Sequence, residues 1–269
     1  MEGLKNKTAI ITGAAGLLGM GIVNKFVDAG VRVIAADINI ELLTRRLTEK
    51  QSSAIAVQLD LADDDSIKAL IDKVSTDYGV LDFLINAATL YPPVEGLART
   101  ATREHWREVM DVNVIGFALL TSGCLPLLIK DKPGSIINFS SIASLTAVPN
   151  MWVYPTSKGA INQLTKSQAV DLAPHKIRVN AIAPAWTWSD PVSALFDGDK
   201  KRADEVAGEF HALGRIGRAE EVGDACLFLC SDHASWITGQ VLSVDGGFSI
   251  LGPTGMRDVK GEMREDTQE

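Results

Sequence analysis

Tyr154 and Lys158 stand four residues apart, with Pro155 between them. Proline is tolerated only in the first turn of a helix, so both side chains are expected on one helix face near its start. A free tyrosine, with a pKa near 10, is a poor base at neutral pH. Lowering that pKa by about three units needs roughly 4 kcal/mol, which a neighbouring lysine ammonium can help to supply. The pair therefore suits proton exchange with an alcohol oxygen. The alternative is an exposed surface couple.

A second candidate site lies near the start of the chain, where residues 12–19 read TGAAGLLG and place Gly13, Gly16 and Gly19 at spacings of three. The segment follows an apolar run and precedes a helical pattern. A helix N-terminus offers unpaired backbone N–H groups and the positive end of the dipole, which suits a pyrophosphate. Glycine keeps the turn and the approach of a ligand free of side chains. The segment predicts a dinucleotide-phosphate site, and the alternative is a tight turn that binds nothing.

Asp37 ends the second predicted strand, where its carboxylate can accept hydrogen bonds from the adenosine ribose hydroxyls. A 2′-phosphate about 4 Å away would be repelled by roughly 4 kcal/mol at an effective dielectric of about 20. The glycine segment carries no basic residue, and the nearest arginines, Arg45 and Arg46, lie about two turns along the next helix. We therefore expect NAD rather than NADP as cofactor. The alternative is that Asp37 only caps that helix.

The elements that must position these residues follow from the hydrophobic pattern. Short apolar runs alternate with longer amphipathic segments, as in 66–79, where apolar residues recur at helical spacing. This alternation predicts an α/β fold with a doubly wound parallel sheet of about seven strands and helices on both faces. The predicted strands are 8–12, 31–37, 54–60, 81–88, 134–141, 177–183 and 240–246. We expect one domain over residues 1–251 and a charged, loosely ordered tail over 252–269.

Composition and charge exclude several classes of function. The 269 residues carry a formal net charge of -8, which argues against nucleic-acid binding, and 46% are hydrophobic, as in soluble globular proteins. No apolar run approaches the length of about 18 residues that a membrane span needs, and no signal-peptide pattern opens the chain. The three cysteines and four histidines lack metal-ligand spacing. We expect a cytoplasmic protein with buried thiols, no metal and no membrane partner.

Seven segments, in order and spacing, resemble the short-chain dehydrogenase/reductase family. They are TGAAGLLG (12–19), INAA (85–88), MDVNVIG with its Asn113, NFSS (138–141), YPTSK (154–158), RVNAIAPA (178–185) and SVDGG (243–247). The resemblance covers nearly the whole chain up to the tail. It implies a single-domain Rossmann enzyme that uses NAD(H) or NADP(H) on a small alcohol or ketone.

The resemblance also implies roles for individual residues. Ser141, thirteen residues before Tyr154, would hydrogen-bond the substrate oxygen, and Tyr154 would exchange its proton. Lys158 would in addition bind the nicotinamide ribose, and Asn113 would hold a water linking Lys158 to solvent. The implied cofactor-binding residues are Gly13, Gly16, Leu17, Leu18, Gly19, Asp37, Asp60, Leu61, Asn86, Ala87, Tyr154, Lys158, Pro184, Thr187 and Ser189. For Asp60 and Asn86 the alternative is ordinary capping at a strand end.

The family's substrate pocket corresponds here to residues 89–96, 149–154 and 186–199. With Ser141, the candidate pocket residues are Tyr91, Met151, Trp152, Trp186 and Trp188, which could form a wall for a ring-shaped substrate. The alternative is that some of these large side chains fill the core or a subunit interface. The resemblance further implies a homotetramer or homodimer, paired through the helices that begin near Arg103 and Pro155.

Two departures from the family pattern leave alternatives open. The single-domain branch usually carries TGxxxGxG, whereas this chain has Leu17 at the middle glycine and a TGxxGxxG form that resembles the sugar-nucleotide epimerases and dehydratases. Those relatives usually have a large C-terminal substrate domain, whereas only about two dozen residues follow the last predicted strand here, so we expect the single-domain branch. Ala88 also replaces a usual glycine. A further alternative is a redox sensor without turnover, which the presence of all four catalytic residue types opposes.

Overall fold

The computed structural model describes residues 1–91, 102–130, 132–252 and 254–257. Within this part of the chain, seven parallel strands form one sheet in the order β3-β2-β1-β4-β5-β6-β7. The strands are β1 Thr8–Thr12, β2 Arg32–Asp37, β3 Ile55–Gln58, β4 Phe83–Asn86, β5 Gly134–Phe139, β6 Ile177–Pro184 and β7 Val241–Val244. The strand order reverses between β1 and β4, and a cleft at the carboxyl ends of the strands is expected at such a point. The predicted doubly wound α/β fold is confirmed.

Helices connect the strands and cover both faces of the sheet. They are α1 Leu17–Asp28, α2 Ile40–Glu49, α3 Asp64–Tyr78, α4 Arg103–Leu128, α5 Val153–Leu172, α6 Asp190–Leu195, α7 Lys200–Ala207 and α8 Ala219–Cys230. Within α4 one turn, Asp111–Ile115, has π-helical hydrogen bonding. Such single π turns often occur at functional sites. The β2–α2 connection is held by Asn39, whose side chain accepts a hydrogen bond from the Leu42 N–H.

Three apolar clusters hold these layers together. One face of the sheet packs on α1, α2 and α8, with Phe26 and Leu43 fully buried, and the other packs on α3, α4 and α5. A smaller cluster, which we call the satellite core, lies apart from both. Its buried residues are Ala203, Ala207 and Ile216, with Trp186, Trp188, Val192 and Phe196 packed against them. All three cysteines are buried and unpaired, and burial raises the pKa of the Cys124 and Cys230 thiols to about 12.

Several strands end earlier than the sequence pattern predicted. Strand β3 ends at Gln58 rather than 60, β4 at Asn86 rather than 88, and β5 at Phe139 rather than 141. The pattern continues past each end because the following residues are buried or half-buried where the chain leaves the sheet to line the cleft. Leu59, Leu61 and Ser141 are all less than a tenth exposed. Hydrophobicity alone therefore does not mark the point where pairing stops.

Helix α4 is long and apolar enough, by length and composition, to cross a membrane. No uninterrupted apolar run marks it in the sequence, because polar residues such as Asn113 and Thr121 interrupt it. In the folded chain Phe117, Leu120 and Cys124 of this helix are fully buried in the core beside the sheet. The apolar character of α4 thus serves packing against the sheet on at least one side.

Candidate active site

A cavity of about 750 Å³ opens at the carboxyl ends of the strands. Most of the predicted site residues line it. On the cofactor side these are Gly13, Gly16, Leu18, Gly19, Asp37, Asp60, Leu61, Ala87, Pro184, Thr187 and Ser189, and on the substrate side Ser141, Tyr154, Tyr91, Met151 and Trp186. A single continuous space therefore joins the glycine segment to the Ser–Tyr pair, and it can accept an extended ligand along its length.

Tyr154 lies in the first turn of α5, as the Pro155 position predicted. Burial raises the pKa of Tyr154 to about 12, and the neighbouring Ser141 hydroxyl opposes that rise. Both hydroxyl-bearing residues line the cavity. Tyr91 packs edge-on against the same ring, with 4.9 Å between ring centroids. The tyrosine is thus held protonated at neutral pH, next to the hydroxyl that can share a substrate oxygen.

Lys158 is fully buried one turn further along α5, at 1% exposure. Its ammonium donates hydrogen bonds to the Phe139 carbonyl at 2.8 Å and to the Thr89 hydroxyl at 3.0 Å, and it lies 5.6 Å from the centre of the Tyr154 ring. Burial lowers the pKa of Lys158 to about 7. Among the described residues no carboxylate pairs with this ammonium to offset the cost, so its proton is weakly held. Sequence reasoning missed Thr89, for which the family pattern offered no signal.

Asn113 sits in the π turn of α4 and is fully buried. Its side-chain oxygen accepts from the Leu90 N–H at 2.8 Å, while its amide donates to the Leu90 carbonyl and to the Ser157 hydroxyl. The side chain therefore fixes the loop after β4 against α5, next to the catalytic pair. The predicted role of this residue, holding a water near Lys158, remains a prediction.

The three glycines of the first loop serve different purposes. Gly13 has φ +69°, and a Cβ there would come within 2.6 Å of the Ala88 backbone. A Cβ on Gly19 would collide with the Gly13 carbonyl oxygen. These two glycines are needed for the chain to pack on itself. Gly16 instead faces the cavity, where a Cβ would stand 3.3 Å from the Asp190 carboxylate.

Leu17 contributes a backbone N–H rather than a side chain to this loop. It begins α1, and its N–H donates to Asp190 Oδ2 at 2.7 Å. Gly16, the residue before the helix, provides no side-chain cap. The first turn of α1 therefore has no cap from the residue before it, and the anion that it accepts in this structure is the Asp190 carboxylate.

Asp37 lies between the glycine loop and the start of α2. Its carboxylate accepts from the Ala15 N–H and from the Asn39 N–H, each at 2.9 Å. Asn39, not Asp37, caps α2. Asp37 lines the cavity, and each carboxylate oxygen retains a second lone pair for a ribose hydroxyl.

Asp60 and Asn86 show the capping and packing roles that were the alternatives to cofactor binding. Asp60 lines the cavity but its carboxylate also accepts from the Ala62 N–H at 2.9 Å. Asn86 is fully buried, and its amide donates to Asn138 and Thr121 inside the core. The Asn86 side chain does not line the cavity, because its buried amide bridges β4 to β5 and α4, so this side chain does not supply the predicted cofactor contact.

Arg46 corrects the expectation that no basic residue reaches the glycine loop. Although it lies in the second turn of α2, its side chain returns to the glycine loop, where Nη1 donates to the Ala15 carbonyl and Nη2 to Asp190 at 2.9 Å. A long arginine side chain spans the distance that counting helical turns suggested was too great. A basic group is therefore present beside Ala15 and Asp37.

Two of the predicted pocket aromatics lie elsewhere. Trp152 is 50% exposed and does not line the cavity, and Trp188 packs against the satellite core. Both were assigned by position in the sequence, but neighbouring residues of an irregular segment point in different directions. Residues 92–96 of the predicted pocket loop and 258–269 of the tail lie outside the described part of the chain.

Comparison with known proteins identifies relatives along nearly the whole chain. A family model described as enoyl-(acyl carrier protein) reductase matches residues 13–249. The 3-oxoacyl-(acyl-carrier-protein) reductase FabG of Thermotoga maritima is 36% identical over 250 residues, which cover 92% of this chain and 99% of the relative. The cis-4-hydroxycyclohexanecarboxylate dehydrogenase of Sinomonas cyclohexanicum is 33% identical over 252 residues, which cover 93% and 99%.

Solved structures agree with these relatives. The ligand-free aldohexose dehydrogenase of Thermoplasma acidophilum superposes with a TM-score of 0.84 at 33% identity, covering 95% of this chain and 98% of that one. A 3-ketoacyl-(acyl-carrier-protein) reductase of Brucella melitensis, solved in complex with NADH, superposes with a TM-score of 0.82 at 30% identity, covering 91% and 99%. Sequence motifs, sheet topology and these relatives lead to one conclusion: the chain belongs to the short-chain dehydrogenase/reductase family.

Proposed function

We propose that this chain is an NAD-dependent oxidoreductase that transfers a hydride between a secondary alcohol or ketone and the nicotinamide, with Tyr154 as general base or acid. One observation carries the proposal. The neighbouring Ser141 and Tyr154 side chains open onto the same cavity as the glycine loop and Asp37. A dinucleotide with its phosphates at α1 would extend along this cavity toward the hydroxyl pair.

The residues present fit the reaction. When bound, the nicotinamide supplies or accepts the hydride. Ser141 hydrogen-bonds the substrate oxygen, and Tyr154, protonated at neutral pH because burial raises its pKa, donates the proton that a ketone oxygen needs. In the oxidation direction Tyr154 must first lose that proton. The nearby Lys158 ammonium, held by Phe139 and Thr89, stabilises the resulting phenolate.

NAD is the proposed cofactor because the Asp37 carboxylate faces the cavity at the end of β2. A 2′-phosphate beside it would meet a negative charge. Arg46 lies close by, but its guanidinium is already engaged by Asp190 and by the Ala15 carbonyl. We therefore retain the preference for NAD. The ratio of kcat/KM for NAD to that for NADP depends on how far the positive charge of Arg46 reduces the repulsion between Asp37 and a 2′-phosphate.

A ring-shaped substrate suits the substrate end of the cavity. Tyr91, Met151 and Trp186 line it near Tyr154, and the Tyr91 hydroxyl contacts the Met151 sulfur at 3.7 Å. Flat, apolar walls of this kind favour a cyclic alcohol or ketone. Two of the relatives, a cis-4-hydroxycyclohexanecarboxylate dehydrogenase and an aldohexose dehydrogenase, are named for cyclic substrates or sugars that form rings.

The proposed assembly is a homotetramer or homodimer that works in the cytoplasm. Ile115 and Leu119 are 46% and 42% exposed on one face of α4, and Val170 is 74% exposed on α5. Exposed apolar side chains on two long helices support pairing through those helices.

The experiment that tests the function is a spectrophotometric screen of NAD reduction with cyclic and secondary alcohols, run beside NADH oxidation with the matching ketones and a 3-oxoacyl thioester. We expect turnover with at least one cyclic substrate and none with Tyr154→Phe. Binding of NADH without turnover on any substrate would favour the redox-sensor alternative. Conversion of a sugar nucleotide without net NAD reduction would favour the epimerase-like alternative.

A further inference from the structure

The Asp190 carboxylate occupies the open first turn of α1. Its Oδ2 accepts the Leu17 N–H at 2.7 Å, and its Oδ1 accepts from Arg46 Nη2 at 2.9 Å. Asp190 belongs to α6, 173 residues further along the chain than Leu17. The contact thus brings a distant acidic side chain onto the glycine loop.

A carboxylate and a phosphate oxygen compete for this position. The Leu17 N–H has one hydrogen, and it points to Asp190 at a short distance that suits an ionised acceptor. Gly16 faces the same carboxylate, so the side-chain-free surface that this glycine offers is already covered. Two anions at one helix N-terminus repel each other, and the dinucleotide pyrophosphate can reach this turn only if the Asp190 carboxylate leaves it.

Arg46 is the cation that both anions would share. Its guanidinium is anchored to the loop through the Ala15 carbonyl, independently of Asp190. When the Asp190 carboxylate moves away, this anchor keeps the guanidinium beside the first turn of α1 with one side free to bind another anion. Arginine is well suited to that exchange because its planar fork binds carboxylate and phosphate in the same geometry.

The segment that carries Asp190 can move without disturbing the sheet. Asp190 is the first residue of the short helix α6, whose Val192 packs on the satellite core rather than on either face of the sheet. Its side chain is 46% exposed, whereas that of Arg46 is 21% exposed. The Asp190 side chain is therefore less enclosed by its neighbours than the Arg46 side chain.

We propose that Asp190 is a resident competitor for the cofactor pyrophosphate, and that Arg46 passes from the Asp190 carboxylate to that pyrophosphate when the dinucleotide binds. The inference rests on the proposed function, since it assumes a dinucleotide in this cavity. It assigns Arg46 as a phosphate-binding residue and Asp190 as the group that lowers apparent cofactor affinity. A competing occupant reduces affinity by the fraction of molecules in which it holds the site.

The test is a fluorescence titration with NADH and NADPH, which needs no substrate and no turnover. We expect Asp190→Asn to bind NADH at least fivefold more tightly, because the amide keeps the shape of the side chain and loses its charge. Asp197→Asn is the matched control, since it removes the same charge from the same segment. Asp197 is exposed, has no hydrogen bond or ion pair among the described residues, and has φ +50°, which asparagine tolerates. We expect the affinity of the Asp197→Asn variant for NADH to stay within twofold of wild type.

A second variant tests the arginine. Arg46→Met should weaken binding of NADH and NADPH alike by fivefold or more, because both carry the pyrophosphate. Adenosine, which has no phosphate, should bind all variants equally. A loss confined to NADPH would assign Arg46 to the 2′-phosphate and overturn the proposal, and so would unchanged or weaker NADH binding by Asp190→Asn. If wild type binds neither dinucleotide, the proposed function fails as well. If wild type binds and only Asp190→Asn fails to tighten binding, the proposed function stands.

Discussion

The Lys158 ammonium donates a hydrogen bond of 3.0 Å to the Thr89 hydroxyl, at the start of the loop that follows β4. The only other protein acceptor it has within the described residues is the Phe139 carbonyl. Burial lowers the pKa of Lys158 to about 7, so each acceptor helps to keep the proton on this lysine. In the proposed mechanism, Thr89 therefore acts through Lys158 on the phenolate form of Tyr154.

The first prediction concerns Thr89, whose hydroxyl accepts this hydrogen bond. Thr89→Val keeps the side-chain shape. We expect it to lower the pKa of Lys158 by about one unit or more, since a hydrogen bond to a charged group is worth about 1.5–3 kcal/mol. At pH 7 this should reduce kcat/KM for alcohol oxidation by about sevenfold or more. The alkaline limb of the pH profile should move to lower pH. Thr89→Ser, which keeps the hydroxyl, should restore the wild-type profile. An equal loss at every pH would assign Thr89 a merely structural role.

The second prediction concerns Tyr154. Tyr154→Phe should abolish turnover while leaving the Kd for NADH nearly unchanged, because the hydroxyl moves a proton and makes at most one contact with the cofactor. Steady-state assays and a fluorescence titration on the same preparation measure both quantities. Retention of more than a few per cent of kcat would contradict the assignment of Tyr154 as general base or acid.

The third prediction concerns cofactor choice. Wild type should prefer NAD over NADP by tenfold or more in kcat/KM, and Asp37→Ala should shift that ratio toward NADP because it removes the carboxylate and leaves Arg46 in place. The same comparison on Asp60→Ala serves as control, since Asp60 is also a cavity-lining acid, two residues past the end of β3, and its loss should shift the ratio less. Equal use of both cofactors by wild type, or no shift in Asp37→Ala, would show the charge argument to be wrong.

The fourth prediction is a dependence of stability on pH. The folded chain holds the pKa of Lys158 at about 7, below the 10.5 of an unfolded lysine, so between these values the unfolded state binds the extra proton and stability rises with pH. Below pH 7 the folded state bears the cost of a buried ammonium. Lys158→Met removes that cost and should therefore raise the free energy of unfolding at pH 6 by about 1 kcal/mol or more. The substitution also removes two hydrogen bonds, worth about 1 kcal/mol each. By pH 9 this loss should cancel the gain. Urea denaturation at both pH values measures it, and a pH-independent difference would contradict it.

The fifth prediction concerns assembly. Leu119→Glu on the exposed face of α4 should shift the chain toward smaller species in light scattering at micromolar concentration, because a charge in an apolar interface costs affinity. Val206→Glu, at a side chain 50% exposed on α7, is the control and should leave the mass unchanged. A monomeric wild type would contradict pairing through α4 and α5.

Much of this architecture was predictable from the sequence because it depends on local pattern. Apolar runs located all seven strands, and Pro155 placed Tyr154 in the first turn of a helix. The sequence could not place side chains that act over long separations. Arg46 reaches back 31 residues to Ala15, and Asp190 reaches 173 residues to Leu17, so neither contact has a local signature. The inward direction of the Asn86 amide has no local signature either, because the residues that its nitrogen donates to lie on β5 and α4.

The satellite core has a consequence for how this enzyme can change over generations. Trp188 and Phe196 pack on Ala203, Ala207 and Ile216, and none of these belongs to the two clusters that hold the sheet. The segment they stabilise also contributes Trp186 and Leu195 to the cavity wall. Substitutions that reshape this wall therefore weaken packing in the satellite core and leave the packing of the two clusters beside the sheet unchanged. Mutation here can therefore change substrate preference while the proposed catalytic residues on α4 and α5, such as Tyr154 and Lys158, keep their surroundings.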